Sequence, residues 1–209
     1  AETLGYLRGS FYAVVEALEQ DVLKKGGELF LGEEVLRASA LSKGWEVATG
    51  KRTIPADALI STVASPVLNK ILEGVSLSTT GCSDYLQLTC LVVILEKRLT
   101  PWYWLNLDLG PLPFGLLVEH TNLMNPETYD GRHVVYLSKY HPSRESQEME
   151  FDRRKEAEWL GTLAAIVPDF EPESVVGTRV ARDPWAVPFP AAGMNPGDPL
   201  APKSWRLYT

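Results

Sequence analysis

The sequence predicts an α+β fold: a mixed, largely antiparallel sheet backed by helices, joined to a smaller helix–β-meander–helix piece. Three observations predict it. Apolar residues recur at helical spacing between Ser10 and Lys25. Four strand-like segments follow one another between Tyr85 and Tyr140, separated by Gly, Pro and Asn turns. A long charged segment from Glu145 to Ile166 carries an apolar stripe of Trp159, Leu160, Leu163, Ile166 and Val167, and Pro168 ends it.

Taken in order, Phe11, Val14, Val15, Leu18 and Val22 place one apolar stripe on the first helix, with Ser10 as N-cap and Gly26-Gly27 as the stop. Such a stripe is expected to pack into a core. Three short extended segments follow, Glu28–Leu31, Val35–Leu41 and Gly44–Thr49, then a turn at Gly50-Lys51 and a return through Arg52–Ile54. The apolar, partly β-branched run Ala58–Val63 reads as a buried strand. Pro66 suits the first turn of a second helix that reaches Glu73, with Ser65 as N-cap, and Val75–Asp84 reads as a loop. The four strands of the larger sheet are expected at Tyr85–Lys97, Trp102–Leu109, Phe114–Thr121 and His133–Tyr140. After the long helix, Ser174–Arg182 forms a last strand, and the proline-rich remainder from Asp183 reads as an extended loop. The expected division is 1–74 and 75–209.

Length and composition narrow the function classes. The 209 residues are 45% hydrophobic, enough for a packed core. A net charge of −7 argues against non-specific nucleic-acid binding, which needs a basic face. Two cysteines, Cys82 and Cys90, form no CxxC pair, so neither a disulfide framework nor a zinc site is expected, and a reduced, cytoplasmic setting is. No membrane span is expected, because no apolar run approaches about 18 residues. The start AETLGYLRGS lacks the charged and apolar regions of a signal peptide. The histidines His120, His133 and His141 have no HExxH spacing, so no metal site is expected.

The block GYLRGSFYAVVEALEQDVLKKGGELFLGEEVLRASAL, continued at Ile54 by IPADALISTVASPVLNKIL, resembles the middle segment of flavin-containing amine oxidases and protoporphyrinogen-oxidase-like FAD-dependent oxidoreductases. The later segments PWYWLNL, LLVEHTN, NPETYDGRHVVYLSKY and PDFEPESVVGTRVARDPWAVP occur in the order seen in a branch of the same family. The resemblance runs from about Gly5 to about Pro188. It implies that 1–74 is part of a flavin-binding domain and that 75–209 is a substrate domain. It also implies FAD as the cofactor of a parent protein and a small-molecule substrate, an amine or an apolar C–H compound, giving hydride to flavin. No Gly-x-Gly occurs in the sequence, so the glycine-rich turn that holds a dinucleotide pyrophosphate has no counterpart. The FAD site is therefore expected to be incomplete in this chain, the missing flavin-binding segments to be its partner, and the isolated chain to be inactive.

In the family, the valine of an LGxxV segment sets its backbone N–H and C=O against adenine, and here that residue is Val35. The turn STVASP lies near the flavin in the family, which nominates Ala64, Ser65 and Pro66. A strand edge can read an adenine edge, and a helix N-terminus favours phosphate. The alternative for these residues is an ordinary strand residue and an ordinary cap. Trp102 and Trp104 share one face of an extended strand and are candidates for an apolar substrate wall; the alternative is core packing. Glu119, His120 and Asn122 form the densest polar cluster at a strand end and are, with the two tryptophans, the candidates for substrate binding. They could supply acid–base chemistry, or they could satisfy a turn. No residue is singled out as catalytic, and no Gly-x-Ser-x-Gly elbow points to a hydrolase. Two functions remain open at this point. One is the substrate-domain segment of an amine-oxidase-like enzyme; the other is a non-catalytic small-molecule binding module derived from that family.

Overall fold

The computed structural model describes residues 5–75, 84–108, 110–142 and 150–189, together with the backbone of 207–208. The chain forms two compact units. One comprises Ala1–Val14 and Tyr85–Val187, and the other comprises Val15–Asp84 and Pro188–Thr209. The elements in chain order begin with α1 (Tyr12–Lys24), β1 (Val35–Ala40), β2 (Trp45–Thr49), β3 (Thr53–Ala56), β4 (Leu59–Ile60), α2 (Ser65–Ile71) and β5 (Leu72–Glu73). They continue with β6 (Asp84–Leu95), β7 (Trp104–Asn106), β8 (Leu116–Glu119), β9 (His133–Pro142), α3 (Arg153–Ile166), β10 (Val175–Phe189) and β11 (Leu207–Tyr208). The α+β class expected from the sequence is the class observed.

In the unit around Val15–Asp84, β3, β2 and β1 form an antiparallel meander, and β5 adds to β1 in parallel through Ala38–Leu72 and Ser39–Glu73. Its core is small, with Ala38, Trp45 and Val47 buried at the centre. Glu28–Leu31, expected as a strand, is irregular, and the run expected as a buried strand at 58–63 contributes only the two residues of β4. β4 pairs in parallel with β11, and Ile60 is 74% exposed. An apolar run announces a strand only where a neighbouring strand completes its ladder, and among the described residues β4 has one neighbour. Ser65 is the first residue of α2 rather than its cap. Ala64 takes the extended N-cap conformation without a side-chain bond, and Pro66 occupies the first turn.

The first helix departs from expectation in burial, not in type. None of its residues is buried; Phe11, just before it, is 63% exposed and Leu18 is 62% exposed. The stripe is amphipathic, as the period requires, but no element of the described structure covers it as a core. Its ends are built locally. Ser10 lies two residues ahead of Tyr12 at φ 68° and accepts the Tyr12 N–H through Oγ at 3.1 Å. At the other end Gly26 takes φ 83°, and Gly27 N–H donates to Val22 O at 2.9 Å.

The other unit contains the larger sheet, with strand order β10-β6-β9-β8-β7. β6, β9, β8 and β7 pair antiparallel, with Leu91 opposite Leu137, Leu137 opposite Leu117, and Leu117 opposite Leu105. Opposed residues share a face, so these leucines and Val93, Leu95 and Val135 form one inward side. α3 packs there through Trp159 and Leu163, and Phe114 and Phe170 close the cluster. Burying each such side chain contributes about 1.5–3 kcal/mol. α3 starts at Arg153, where the Asp152 carboxylate accepts the Lys155 N–H at 2.9 Å and caps the helix. Of the helix expected from Glu145, the described residues 150–152 are not helical. The last strand runs on to Phe189, beyond the expected end at Arg182, so Asp183–Phe189 is strand and not loop. The expected loop at 76–83, the helix start at 145–149, Leu109, Cys82 and the remainder at 190–206 lie outside the described residues.

A β-carbon on Gly27 would stand 2.6 Å from Val22 Cγ1 and 3.0 Å from Val22 O. Gly27→Val is therefore expected to destabilise the helix end by about 1–3 kcal/mol, seen as a lower melting temperature. Gly50→Ala, at a turn with open space, is the comparison that should change little.

Candidate functional site

The strand register divides the larger sheet into two chemically different sides. One is the leucine-rich side under α3. The other carries Leu88, Val92 and Ile94 from β6, Tyr136 and Tyr140 from β9, and Trp104 from β7, none of which belongs to the core cluster. Trp104 sits opposite Val118 and is 52% exposed, with its indole N–H donating to Asn106 Oδ1 at 3.0 Å. The strands carrying Trp104 and Val118 pair as expected. Trp102 precedes β7 and is 62% exposed, so the two tryptophans are not consecutive members of one strand face. Cys90 lies on the same side, and burial pushes its thiol above the ordinary value.

At one end of this side, alternation carries His120 past Glu119 onto the Tyr136 face. His120 Nε2 lies 2.7 Å from Tyr129 Oη, and its ring meets those of Tyr6, Tyr129 and Tyr136 at 5.5–5.6 Å between centroids. Burial depresses the His120 pKa and raises those of Tyr129 and Tyr136, so His120 is neutral at pH 7. A neutral imidazole bonded to a phenol can pass a proton, with donor and acceptor set by the tautomer. Sequence spacing nominated His120 but not its tyrosines, since nothing marks residues nine and sixteen positions away as neighbours. The Asn125-Pro126 turn that returns the chain is their only local signal: Asn125 Oδ1 caps it by accepting Glu127 N–H.

Glu119 and Asn122 have a different placement. The Glu119 side chain is 0% exposed, and its two oxygens accept the N–H groups of Leu99 and Thr100 at 2.9 and 2.5 Å. His133 Nδ1 lies 3.7 Å away. Asn122 donates to the carbonyls of Thr100 and Trp102 at 2.9 and 2.8 Å and accepts Arg98 Nε at 2.7 Å. Together they hold the turn at 98–102 that sends the chain from β6 to β7. They satisfy backbone groups, and only His120 of the cluster faces the tyrosine side.

The other candidate residues lie in the unit of the small meander. Thr49 donates its N–H to Arg52 O at 2.9 Å, toward β3, so Val35 and Thr49 are opposed without exchanging backbone bonds. In such a pair both residues turn their N–H and C=O outward. Those of Val35 therefore face the edge away from β2, where β5 reaches only Ala38 and Ser39. α2, which begins at Ser65-Pro66 after Ala64, lies against β1. Sequence spacing missed the group that holds Val35 in place. Glu33, whose side chain is 4% exposed, accepts Thr49 Oγ1 at 2.6 Å and Arg52 Nε at 2.9 Å, and the Arg52 guanidinium lies 4.1 Å over the Phe30 ring. The Thr49 hydroxyl, and after it Arg52, hold the Glu33 carboxyl below the usual carboxylate range.

A cavity of about 230 Å³ opens on the α3 side of the larger sheet, lined by Pro113, Lys139, His141, Phe151, Lys155, Glu158 and Trp159. Gln87, opposite His141, keeps its buried Oε1 without a hydrogen-bond partner among the described residues. Among the described residues, no group of three or more His, Cys, Asp or Glu could hold a metal ion, and no helix is long and apolar enough to cross a membrane.

Two outcomes follow from this geometry. Glu119→Gln turns an amide NH₂ toward one of two buried N–H donors, so it is expected to cost about 2 kcal/mol or more, read by denaturant unfolding. The depressed His120 pKa means that the unfolded chain takes the proton first. Its contribution to stability is complete above the ordinary histidine value of about 6.5 and is lost as pH falls through the interval down to the folded value. Melting curves between about pH 7 and pH 5 should show that loss in the wild type and a smaller one in His120→Gln.

No protein-family model and no curated protein matches the chain. Solved structures do match. An oxidoreductase from Methanosarcina mazei is similar over 96% of this chain and 48% of its own, at 19% identity and a TM-score of 0.71. Reduced UDP-galactopyranose mutase is similar over 89% of this chain and 42% of its own, at 16% identity and a TM-score of 0.68. Putrescine oxidase bound to putrescine is similar over 82% of this chain and 38% of its own, at 14% identity and a TM-score of 0.55. The chain thus spans less than half the length of each of these proteins, and what it shares with them is the fold.

Proposed function

We propose that this chain is the substrate-side segment of an FAD-dependent, amine-oxidase-like oxidoreductase, with the Tyr85–Val187 unit presenting an amine or apolar C–H substrate. The observation that carries the reading is the two-sided larger sheet. A sheet buried under α3 on one side keeps Leu88, Val92, Ile94, Tyr136 and Trp104 out of the core on the other. An aromatic and aliphatic wall with few polar groups suits a ligand that is neutral, or charged at one end only, because burying a lone charge there would be costly. His120 and Tyr129 stand at the end of this wall as its proton-handling pair. The solved structures similar to this chain include an oxidoreductase and an oxidase holding putrescine, an aliphatic diamine.

FAD fits the chain in part. The outward N–H and C=O of Val35 suit an adenine edge, and Ala64, Ser65 and Pro66 begin the helix that lies against the same strand. The sequence has no glycine-rich turn for the pyrophosphate, so that grip belongs to further polypeptide in this reading. The exposed apolar stripe of α1 and the exposed Ile60 of β4 support the same view, since large unburied apolar surface marks a partner surface. When bound, the flavin supplies the hydride acceptor; the residues of this chain orient the substrate, exclude water and hold a proton at His120 Nε2 or Tyr129 Oη.

The purified chain is expected to be colourless after gel filtration with excess FAD, and a stoichiometric flavin spectrum would contradict the missing pyrophosphate grip. A series of alkylamines of increasing length should perturb the fluorescence of Trp104, isolated as the difference between wild type and Trp104→Phe. Trp104→Ala should weaken their binding about tenfold, the loss of one large apolar contact. If no alkylamine or neutral apolar analogue changes that signal, the wall is not a substrate surface. If ligands bind but no flavin-bearing native form exists, the chain is a binding module.

A further inference from the structure

We infer that Glu33 is a positioning residue for the ligand contact at Val35: its carboxylate pins the Phe30–Val35 segment to the β2–β3 turn and so sets the edge offered to an adenine ring. The inference rests on the reading of Val35 just proposed. Glu33 stands two residues ahead of Val35, in an irregular segment with Gly32 at φ 63°. Such a segment has no ladder of its own to fix it. The pin supplies one from both sides. Glu33 Oε1 accepts Thr49 Oγ1 at 2.6 Å, and Thr49 is the residue opposed to Val35. The same oxygen accepts Arg52 Nε at 2.9 Å, while the guanidinium covers the Phe30 ring at 4.1 Å.

The receiving turn is itself closed around Thr49. Its Oγ1 accepts the N–H of Lys51 at 3.1 Å and of Arg52 at 3.0 Å, and its own N–H goes to Arg52 O. That last bond turns the backbone of Thr49 toward β3 and leaves the backbone of Val35 facing the other edge. The ladder is irregular between Val35 and Arg37, so register alone does not hold Val35 in this orientation. A carboxylate with 4% side-chain exposure and two charge-assisted or short bonds does.

The test uses the full 209-residue chain with ADP as the adenine-bearing probe. Amide hydrogen exchange is followed over 30–36, and the Val35 amide is followed by NMR during an ADP titration. Glu33→Ala should speed exchange across 30–36 about tenfold or more and weaken the ADP response by a similar factor, as expected for losing bonds to a charged group. Glu33→Gln keeps an oxygen acceptor in place and should restore most of both. Arg52→Gln removes one arm of the pin while sparing the Thr49 arm. It should give a smaller change in the same direction, and it provides the measurement if Glu33→Ala does not fold. Unchanged exchange over 30–36 in these variants overturns the pin. Faster exchange with an undiminished ADP response at Val35 overturns the positioning role. A wild-type Val35 amide that does not respond to ADP, or that responds to UDP as it does to ADP, overturns the adenine reading of the edge and the inference with it.

Discussion

The register between β6 and β9 is the constraint on which the larger unit depends. Ten consecutive residues, Leu86 to Leu95, are opposed to Pro142 back to His133 without a shift. Because side chains alternate, that one alignment decides that Leu91, Val93 and Leu95 meet α3 and that Leu88, Val92 and Ile94 do not. A slip by one residue would exchange the two sets and bring Tyr136 and Tyr140 under the helix. β8 and β7 inherit the alignment through Leu117–Leu137 and Leu105–Leu117, so Trp104 stands on its side because Leu137 stands on the other. Glu119 is the end of the same ladder. It falls on the inward side, where a carboxylate is tolerated because the Leu99 and Thr100 amides converge on it.

The two strands of that ladder were legible in the sequence because each is a long run of strand-favouring residues bounded by turn residues, and both were expected within a few residues of where they lie. β4 and β7 were not legible to the same degree. Ala58–Val63 and Trp102–Leu109 are apolar runs too short to carry a period, and their lengths are decided by how much neighbouring strand they meet. The first helix shows a different limit. Its period established the helix and the direction of its apolar face, but periodicity says nothing about what stands opposite that face.

The candidate residues divide along a related line. Val35 and His120 could be nominated from the chain because each sits at a marked place, the LGxxV segment of the family resemblance or a dense polar run. What gives each its chemistry could not. The environment of His120 comes from Tyr6, Tyr129 and Tyr136, brought from three separate stretches. Next to Val35, Glu33 bonds Thr49 and Arg52, three residues that carry no periodic signal of their own. Asn122 and Glu119 looked equally functional in sequence because a turn-holding group and an acid–base group use the same atoms. In the structure both side chains bond backbone groups around 98–102, partners that are invisible until the turn is built.

The two units also differ in how far each buries its own apolar residues. The larger sheet and α3 enclose a continuous cluster from Leu91 to Phe170, whereas the meander encloses Ala38, Trp45 and Val47 and leaves Leu18, Leu31 and Ile60 in the open. Composition does not explain the difference, since apolar residues are plentiful in both. Architecture does. An antiparallel sheet with one helix across it closes a core by itself, while a two-residue parallel pair such as β4–β11 and an amphipathic helix with no buried residue do not; parallel strands are usually buried from both faces. Such pieces gain their stability from the layer that covers them. The larger sheet thus closes its own core, while the smaller unit leaves apolar side chains such as Leu31 and Ile60 exposed.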